Sequence, residues 1–245
     1  MKIIGIIPAR YASTRFPGKP LIDIGGKSMI QRVYEQSQKT KLLHDVVVAT
    51  DDIRIKSHVM SFGGKAIMTS EAHQSGTDRC FEAIQKFDTT ADIIINIQGD
   101  EPFIQPEQID LVASCFDSEQ VQIATLVKKI NNYEDLQNVN IPKVVLNTAE
   151  YAIYFSRLAI PYLRGKENTQ WLDYQTFYKH IGIYAYSTKA LTEITGLKQS
   201  SLELAEGLEQ LRWIENGYKI RTKTTDFENV AVDVPEDLKK LINFL

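Results

Sequence analysis

A chain of 245 residues, 43% hydrophobic and 24% charged, carries enough apolar material for one large α/β domain or two small ones, and its balance excludes a disordered or fibrous protein. Its 28 Lys and Arg against 31 Asp and Glu leave a formal charge of −3. That excludes the basic surplus of a duplex-binding protein, so any anion site must be a local gathering of cations.

The opening run Lys2-Ile3-Ile4-Gly5-Ile6-Ile7-Pro8 reads as a strand buried on both faces, the first of a parallel sheet. It is too short for a signal-peptide core, and no stretch approaches membrane-spanning length. Cys80 and Cys115 fit no metal or redox spacing and are expected as buried thiols. A cytoplasmic protein without membrane or nucleic-acid partners is the expectation. The loop leaving the strand's carboxyl end carries Arg10, Arg15 and Lys19, with Gly18 and small or hydroxylated residues between them. Ligands bind at that end of an open α/β sheet. Three cations there suit a phosphate tail; the alternative is a solvated basic loop.

Ser28 is placed to cap a helix reaching about Thr40, with Met29, Ile30, Val33 and Tyr34 facing a core. His44–Thr50 reads as a second strand, followed by a helix begun by Asp51 and stopped at Gly63-Gly64. Lys65–Thr69 reads as a third strand, Gly76–Phe87 as a helix and Ala91–Ile97 as a fourth, very apolar strand. This alternation implies right-handed βαβ units and a doubly wound sheet. No G-x-G-x-x-G follows the first strand, and Leu21 stands where the leading glycine of a P-loop ending in Gly26-Lys27-Ser28 would be. Both phosphate fingerprints are therefore excluded.

From about 121 the pattern changes. Val121–Ile130, Lys143–Asn147, Tyr151–Phe155 and Tyr178–Tyr186 read as strands with little helix between them, a mostly antiparallel addition. Its apolar surplus (Tyr151, Ile153, Tyr154, Phe155, Ile160, Tyr162) either lines a subunit interface or fills core. Residues 164–177 read as a mobile loop. One helix is expected from Leu202 to about Asn216, with Leu204, Leu208 and Leu211 as its buried stripe, then strands near 219–224 and 229–232 and a helix opened by Pro235. With no repeats or linkers, residues 1–245 are expected to form one unit.

Four constellations carry chemistry. Ile93–Pro102 runs a buried strand into Asp100, with Gly99 just before it; that acid either caps a turn or holds Mg²⁺, with Glu101 the weaker candidate. Val230–Asp237 repeats the theme, Asp233 being either a helix cap or a second metal ligand. His73–Arg79 sits at a strand-to-helix junction: a capping box with a surface arginine, or a helix N-terminus offered to an anion or a base carbonyl. Finally, Arg157 and His180 lie among apolar strand residues. A lone histidine in such a run is usually core, whereas the planar fork of Arg157 suits capture of a carboxylate.

Ile7–Leu21 closely resembles the N-terminal signature of the 3-deoxy-manno-octulosonate (Kdo) cytidylyltransferases. The likeness continues through His73–Arg79, Gln98–Pro102, Lys143–Leu146, Tyr154–Arg157, His180–Tyr184, Leu208–Arg212 and Val232–Asp237, nearly the whole chain. It implies a Rossmann-like nucleotidyltransferase fold, with a mostly parallel central sheet, helices on both faces and an antiparallel portion at the interface of a homodimer. It also implies Mg²⁺ dependence and the reaction CTP + Kdo → CMP-Kdo + diphosphate, for lipopolysaccharide assembly. The nucleotide half would span about 1–120, the sugar and dimer portion about 121–200 and the closing elements about 201–245. Carried over by motif, Pro8, Ala9, Arg10, Arg15, Lys19, Ser75, Gly76, Arg79 and Gln98 would surround the nucleotide, and Asp100 and Asp233 would bind metal. Arg10, Arg15, Lys19, Asp100 and Asp233 would carry catalysis, while Arg157, His180, Tyr184, Glu209 and Gln210 would surround the sugar acid. Asn140-Ile141-Pro142 and Ser201 depart from the pattern at loop positions, which bears on the exact sugar more than on the reaction. Two alternatives stand beside this reading: a cytidylyltransferase for 8-amino-Kdo or a sialic acid, and a catalytically silent nucleotide sensor.

Overall fold

Side chains of the first strand, β1 (Ile3–Ala9), alternate between two cores, Ile3 and Ile7 on one face and Ile4 and Ile6 on the other. A strand buried on both faces belongs inside a helix-covered sheet. The computed structural model describes residues 1–12, 16–228, 231–232 and 234–244. After β1 come a 3-10 turn at Lys19–Leu21 and the small ladder β2 (Asp23–Ile24) with β3 (Lys27–Ser28). The chain then winds through α1 (Met29–Ser37), β4 (Asp45–Thr50), α2 (Ile53–Ser61), β5 (Ala66–Met68), α3 (Gly76–Phe87), β6 (Ile93–Asn96) and α4 (Pro106–Ala113). The second half supplies β7 (Ile123–Lys129), α5 (Tyr133–Gln137), β8 (Lys143–Leu146), β9 (Ala152–Ser156), α6 (Trp171–Tyr174) and β10 (Tyr178–Ser187). It closes with α7 (Thr188–Ile194), α8 (Ser201–Glu206), α9 (Gln210–Glu215), β11 (Ile220–Thr224) and a 3-10 segment at Pro235–Phe244.

Among the described residues the main sheet runs β11-β7-β10-β6-β1-β4-β5, with β8 paired to β10 and β9 to β8. β1 pairs in parallel with both β4 and β6. Along that path β10 alone runs against its neighbours. Helices α1, α2 and α4 cover one face and α3, α7 and α9 the other. The chain winds outward from β1 through β4 to β5, then returns to the opposite side of β1 as β6. The crevice beyond the carboxyl ends of β1 and β6 is thus the switch point of the sheet, where such folds bind ligands.

Several elements differ from expectation. The single helix over 202–216 is two: Gly207, at φ +62°, closes α8 by donating its N–H to the Glu203 carbonyl at 2.7 Å. A left-handed glycine at that place ends a helix even though the apolar spacing continues. Leu204 is consequently 65% exposed, while Leu208 and Leu211 are buried. Residues 164–177 are no free loop, because Trp171 is buried and stacks on Phe177 with ring centroids 6.0 Å apart. Helices α4, α5 and α7 were not expected; α7 follows β10 with no intervening loop, Ser187 serving as its cap. Asp52, not Asp51, caps α2. The strand expected at 229–232 lies partly outside the described residues, and no strand is formed at 231–232. Cys80 and Cys115 are buried free thiols, and burial pushes Cys115 up to about 12.

Candidate active site

β1 ends in Pro8-Ala9 and hands Arg10 to the switch-point crevice, and β6 hands over Gln98-Gly99-Asp100 beside it. The two chain ends approach so closely that a Cβ on Gly99 would stand 2.7 Å from the Pro8 carbonyl oxygen, which leaves glycine as the residue that fits. The amino end of α3 forms the third wall, with Ser75 as its cap; its Oγ accepts from Asp78 N at 3.1 Å. Opposite it stands Lys19, in the 3-10 turn that follows Gly18 at φ +73°. The resulting cleft has a volume of ≈ 250 Å³. Pro8, Ala9, Arg10, Lys19, Ser75, Gly76, Arg79, Gln98 and Asp100, nine positions named from sequence, all line it.

Charge in the cleft is organised around one ion pair. Lys19 Nζ donates to Asp100 Oδ2 at 2.8 Å and to the Val232 carbonyl at 2.7 Å. Val232 in turn donates its N–H to the Asp100 carbonyl at 3.0 Å, so a segment more than a hundred residues downstream is tied to the same acid. Arg15 and Asp233, the other expected phosphate and metal residues, lie outside the described residues. The base of the first-turn loop is closed by Gly18 N donating to the Tyr11 carbonyl at 2.9 Å, and the Arg54 guanidinium sits 3.4 Å from the Tyr11 ring centroid.

Arg79 enters the cleft as a fixed wall. Its guanidinium donates to Thr69 Oγ1 at 2.6 Å and to Asp51 Oδ2 at 2.8 Å, with the side chain only 4% exposed. Gln98 is also oriented, since its Nε2 donates to the Gly182 carbonyl at 2.8 Å. Gly182 lies in a bulge of β10, where the register against β7 shifts between Ile181 and Tyr184. Thr125 Oγ1 holds that bulge by donating to the carbonyl of Ile183 at 2.7 Å.

Of the five residues expected around a sugar acid, His180 and Tyr184 pack ring to ring and Glu209 and Gln210 are consecutive at the start of α9, while Arg157 is held apart by Glu206 and Val139. Glu209 Oε2 accepts from Thr77 Oγ1 at 2.9 Å, tying α3 to the turn before α9, and burial raises its pKa. Gln210 is buried next to it, with Nε2 lacking a hydrogen-bond partner among the described residues. Tyr184 pairs across β6 with Asn96 and packs edge-on against Trp213. His180 is packed between Phe155 and Tyr184, its Nε2 3.0 Å from Thr125 Oγ1, and burial holds its pKa down to about 3, so the ring is neutral. Arg157 donates from Nε to the Glu206 carbonyl at 2.6 Å and from Nη1 to the Val139 carbonyl at 3.1 Å. Its own N–H goes to Glu206 Oε2 at 2.9 Å. Asp51, Thr125 and Glu206 orient Arg79, the β10 bulge and Arg157; these partners lie far along the chain, so no local pattern marks the contacts.

The cytidylyltransferase profile matches residues 4–220. A 3-deoxy-manno-octulosonate cytidylyltransferase of Parabacteroides distasonis is 60% identical over 249 aligned positions, covering 100% of this chain and 98% of the relative. The chain belongs to the 3-deoxy-manno-octulosonate cytidylyltransferase family. A second member, from Bacteroides thetaiotaomicron, is 58% identical, again over 100% of this chain and 98% of the relative. A solved CMP:2-keto-3-deoxy-manno-octonic acid synthetase in complex with CTP superposes with a TM-score of 0.91 at 43% identity, covering 100% of this chain and 98% of that one. The protein is therefore a nucleotidyltransferase enzyme with this family's fold, as its sequence motifs implied.

Proposed function

We propose that this enzyme transfers the cytidylyl group of CTP to Kdo, forming CMP-Kdo and diphosphate for lipopolysaccharide assembly. The observation that carries the proposal is the meeting of Arg10, Lys19 and Asp100 in one cleft against the amino end of α3. Cations and a helix N-terminus together suit a triphosphate. The anomeric 2-hydroxyl of the sugar attacks the α-phosphorus in line, and diphosphate leaves from the opposite side. Arg10, Arg15 and Lys19 hold the triphosphate and take up charge on the departing diphosphate. Ser75, Gly76, Arg79 and Gln98 enclose the cytidine. Arg157, Tyr184, Glu209 and Gln210 orient the acceptor, and His180, neutral and buried, supports Tyr184 from behind. Orientation rather than a dedicated base accounts for most of the rate.

Asp100 presents an oxygen donor at the edge of a cleft that also takes phosphates, a setting that fits Mg²⁺, which accepts one or two protein oxygens and fills its shell with water and phosphate. Asp100 and Asp233 would hold it, and when bound it neutralises charge on the phosphate oxygens. The test is diphosphate release from CTP and Kdo. Release is expected with Mg²⁺ and is expected to vanish with excess chelator; turnover unaffected by chelator would overturn the metal assignment. Titrating CTP alone separates an enzyme from a silent sensor, which would bind without release.

We also place a second copy of the chain against the β9 face. Ile153, Leu158 and Tyr162 stand 52%, 68% and 74% exposed on and just after this strand, an apolar surface that a homodimer would cover. Ile153→Asp combined with Tyr162→Asp is expected to halve the mass seen by light scattering, to that of a 27.8 kDa monomer. A wild-type protein that already runs as a monomer would remove this assignment. No helix among the described residues is long and apolar enough to cross a membrane, and buried free thiols fit a reducing compartment, so we place the activity in the cytoplasm.

A further inference from the structure

The wall of the cleft between β5 and α3 is a loop, residues 69–75, that belongs to no strand or helix. His73 and Gln74 line the cleft from this loop. An unsupported loop would lose entropy each time a nucleotide docked against it. This one is held from behind at several points by Glu82, in the second turn of α3. Glu82 Oε2 accepts from the backbone N–H of Ser70 at 2.8 Å and is hydrogen-bonded to His73 Nε2. Its other oxygen, Oε1, accepts from Lys86 Nζ at 2.5 Å, and Lys86 also donates to the Met68 carbonyl at 3.0 Å, on the strand that leads into the loop. Thus one carboxylate grips the loop near its start, at its cleft-facing histidine and, through Lys86, at the strand before it.

Neighbouring contacts complete the frame without replacing it. Thr69 N donates to the Thr50 carbonyl at 2.8 Å, and Thr69 Oγ1 takes the Arg79 guanidinium, which fixes the end of the loop next to β5. Ala72 N donates to Ser70 Oγ at 3.1 Å, so the position of Ser70 is passed on to the following residues. Burial raises the pKa of Glu82, but Lys86, the Ser70 N–H and His73 outweigh it and hold the carboxyl down to about 2, so the grip is that of a full negative charge. Hydrogen bonds to an ionised acceptor are the strong ones.

We propose that Glu82 is a positioning residue for nucleotide capture: it fixes His73 and the 69–75 loop as a preformed wall of the cleft. The proposal rests on the cytidylyltransferase reading for the identity of the nucleotide. Its role is distinct from that of Asp100 and Lys19, which act at the phosphate tail, and from the acceptor residues around Glu209. Loss of Glu82 therefore weakens CTP binding and leaves the chemical step alone.

The test measures the CTP dissociation constant by calorimetry, together with kcat and both KM values by diphosphate release, in wild type, Glu82→Ala and Glu82→Gln. Glu82→Ala is expected to weaken CTP binding on the order of tenfold, with kcat within about twofold and the KM for the sugar unchanged. Glu82→Gln, which keeps an acceptor for the Ser70 N–H, is expected to fall between the two and serves if the alanine variant does not fold. His73→Ala combined with the Glu82 change is expected to cost less than the sum of the two single changes, because the residues act as one unit. CTP affinity within about twofold of wild type in both Glu82 variants would overturn the proposal. So would equal losses in CTP affinity, kcat and sugar KM, the mark of general structural damage. Wild type that binds CTP but releases no diphosphate would instead overturn the proposed reaction, and the binding arm would still decide the role of Glu82.

Discussion

Asp100→Asn is expected to lower kcat by at least about a hundredfold while leaving the melting temperature close to that of wild type. The substitution keeps the shape of the side chain and an oxygen for Lys19, whose Nζ now sits 2.8 Å from Oδ2. The backbone tie from Val232 N to the Asp100 carbonyl does not involve the side chain and persists. What is lost is one negative charge at the end of β6, in the cleft where Arg10 and Lys19 also stand. If that charge holds the metal, its removal strips stabilisation from the transition state, while CTP can still be held by the cations and the end of α3. The expected signature is a collapsed kcat with CTP affinity changed far less. Near wild-type kcat at saturating Mg²⁺ would mean that Asp100 is only a structural partner of Lys19.

The second large effect is on stability. Arg212→Ala is expected to cost about 3–5 kcal/mol, because it leaves Glu203 charged and buried with its strongest partner gone. The pair is bidentate, Nε to Oε2 at 2.8 Å and Nη2 to Oε1 at 2.6 Å, with the side chains 10% and 7% exposed. Arg212 Nη1 also donates to the Leu197 carbonyl at 3.2 Å, so the loop between α7 and α8 loses a tether as well. For a chain of this size the loss corresponds to roughly 10 °C in the thermal midpoint. Replacing both partners, Glu203→Leu with Arg212→Leu, is expected to recover much of that loss, since the buried Glu203 carboxylate goes with its partner and only the longer contact to Glu209, 3.9 Å from Arg212 Nη2, stays broken. A single Arg212→Ala variant that melts within about 2 °C of wild type would show that water reaches the Glu203 carboxylate.

The parts of this molecule that were legible in its sequence share a physical cause. Ile3–Ile7 and Ile93–Ile95 are buried on both faces, so they appear as apolar runs, and the first charged residue beyond each, Arg10 and Asp100, marks the end where ligands bind. Arg10 and Asp100 could be placed at the site for that reason alone. The break at Gly207 was not legible, because Leu204, Leu208 and Leu211 keep a helical spacing across it and only the backbone of the glycine departs. Trp171 was hidden in a polar stretch, and its apolar surroundings, Ile130, Leu136 and Tyr162 beside Phe177, come mostly from other segments. The work of Glu82 and Glu206 emerges only when the loop 69–75 and Arg157 fold against them.

The reversed direction of β10 has a consequence for how this enzyme can diversify. Tyr184 and Ser187 lie opposite Asn96 and Ile93, so the first residues of β10 overshoot the carboxyl end of β6. On the proposed assignment, the donor nucleotide would meet the trailing tips of forward strands and the acceptor the leading half of a backward one. The two halves meet at one backbone group, the Gly182 carbonyl that accepts from Gln98 Nε2 at 2.8 Å, so a change of acceptor along 178–183 that keeps this carbonyl in place would leave the nucleotide side as it is.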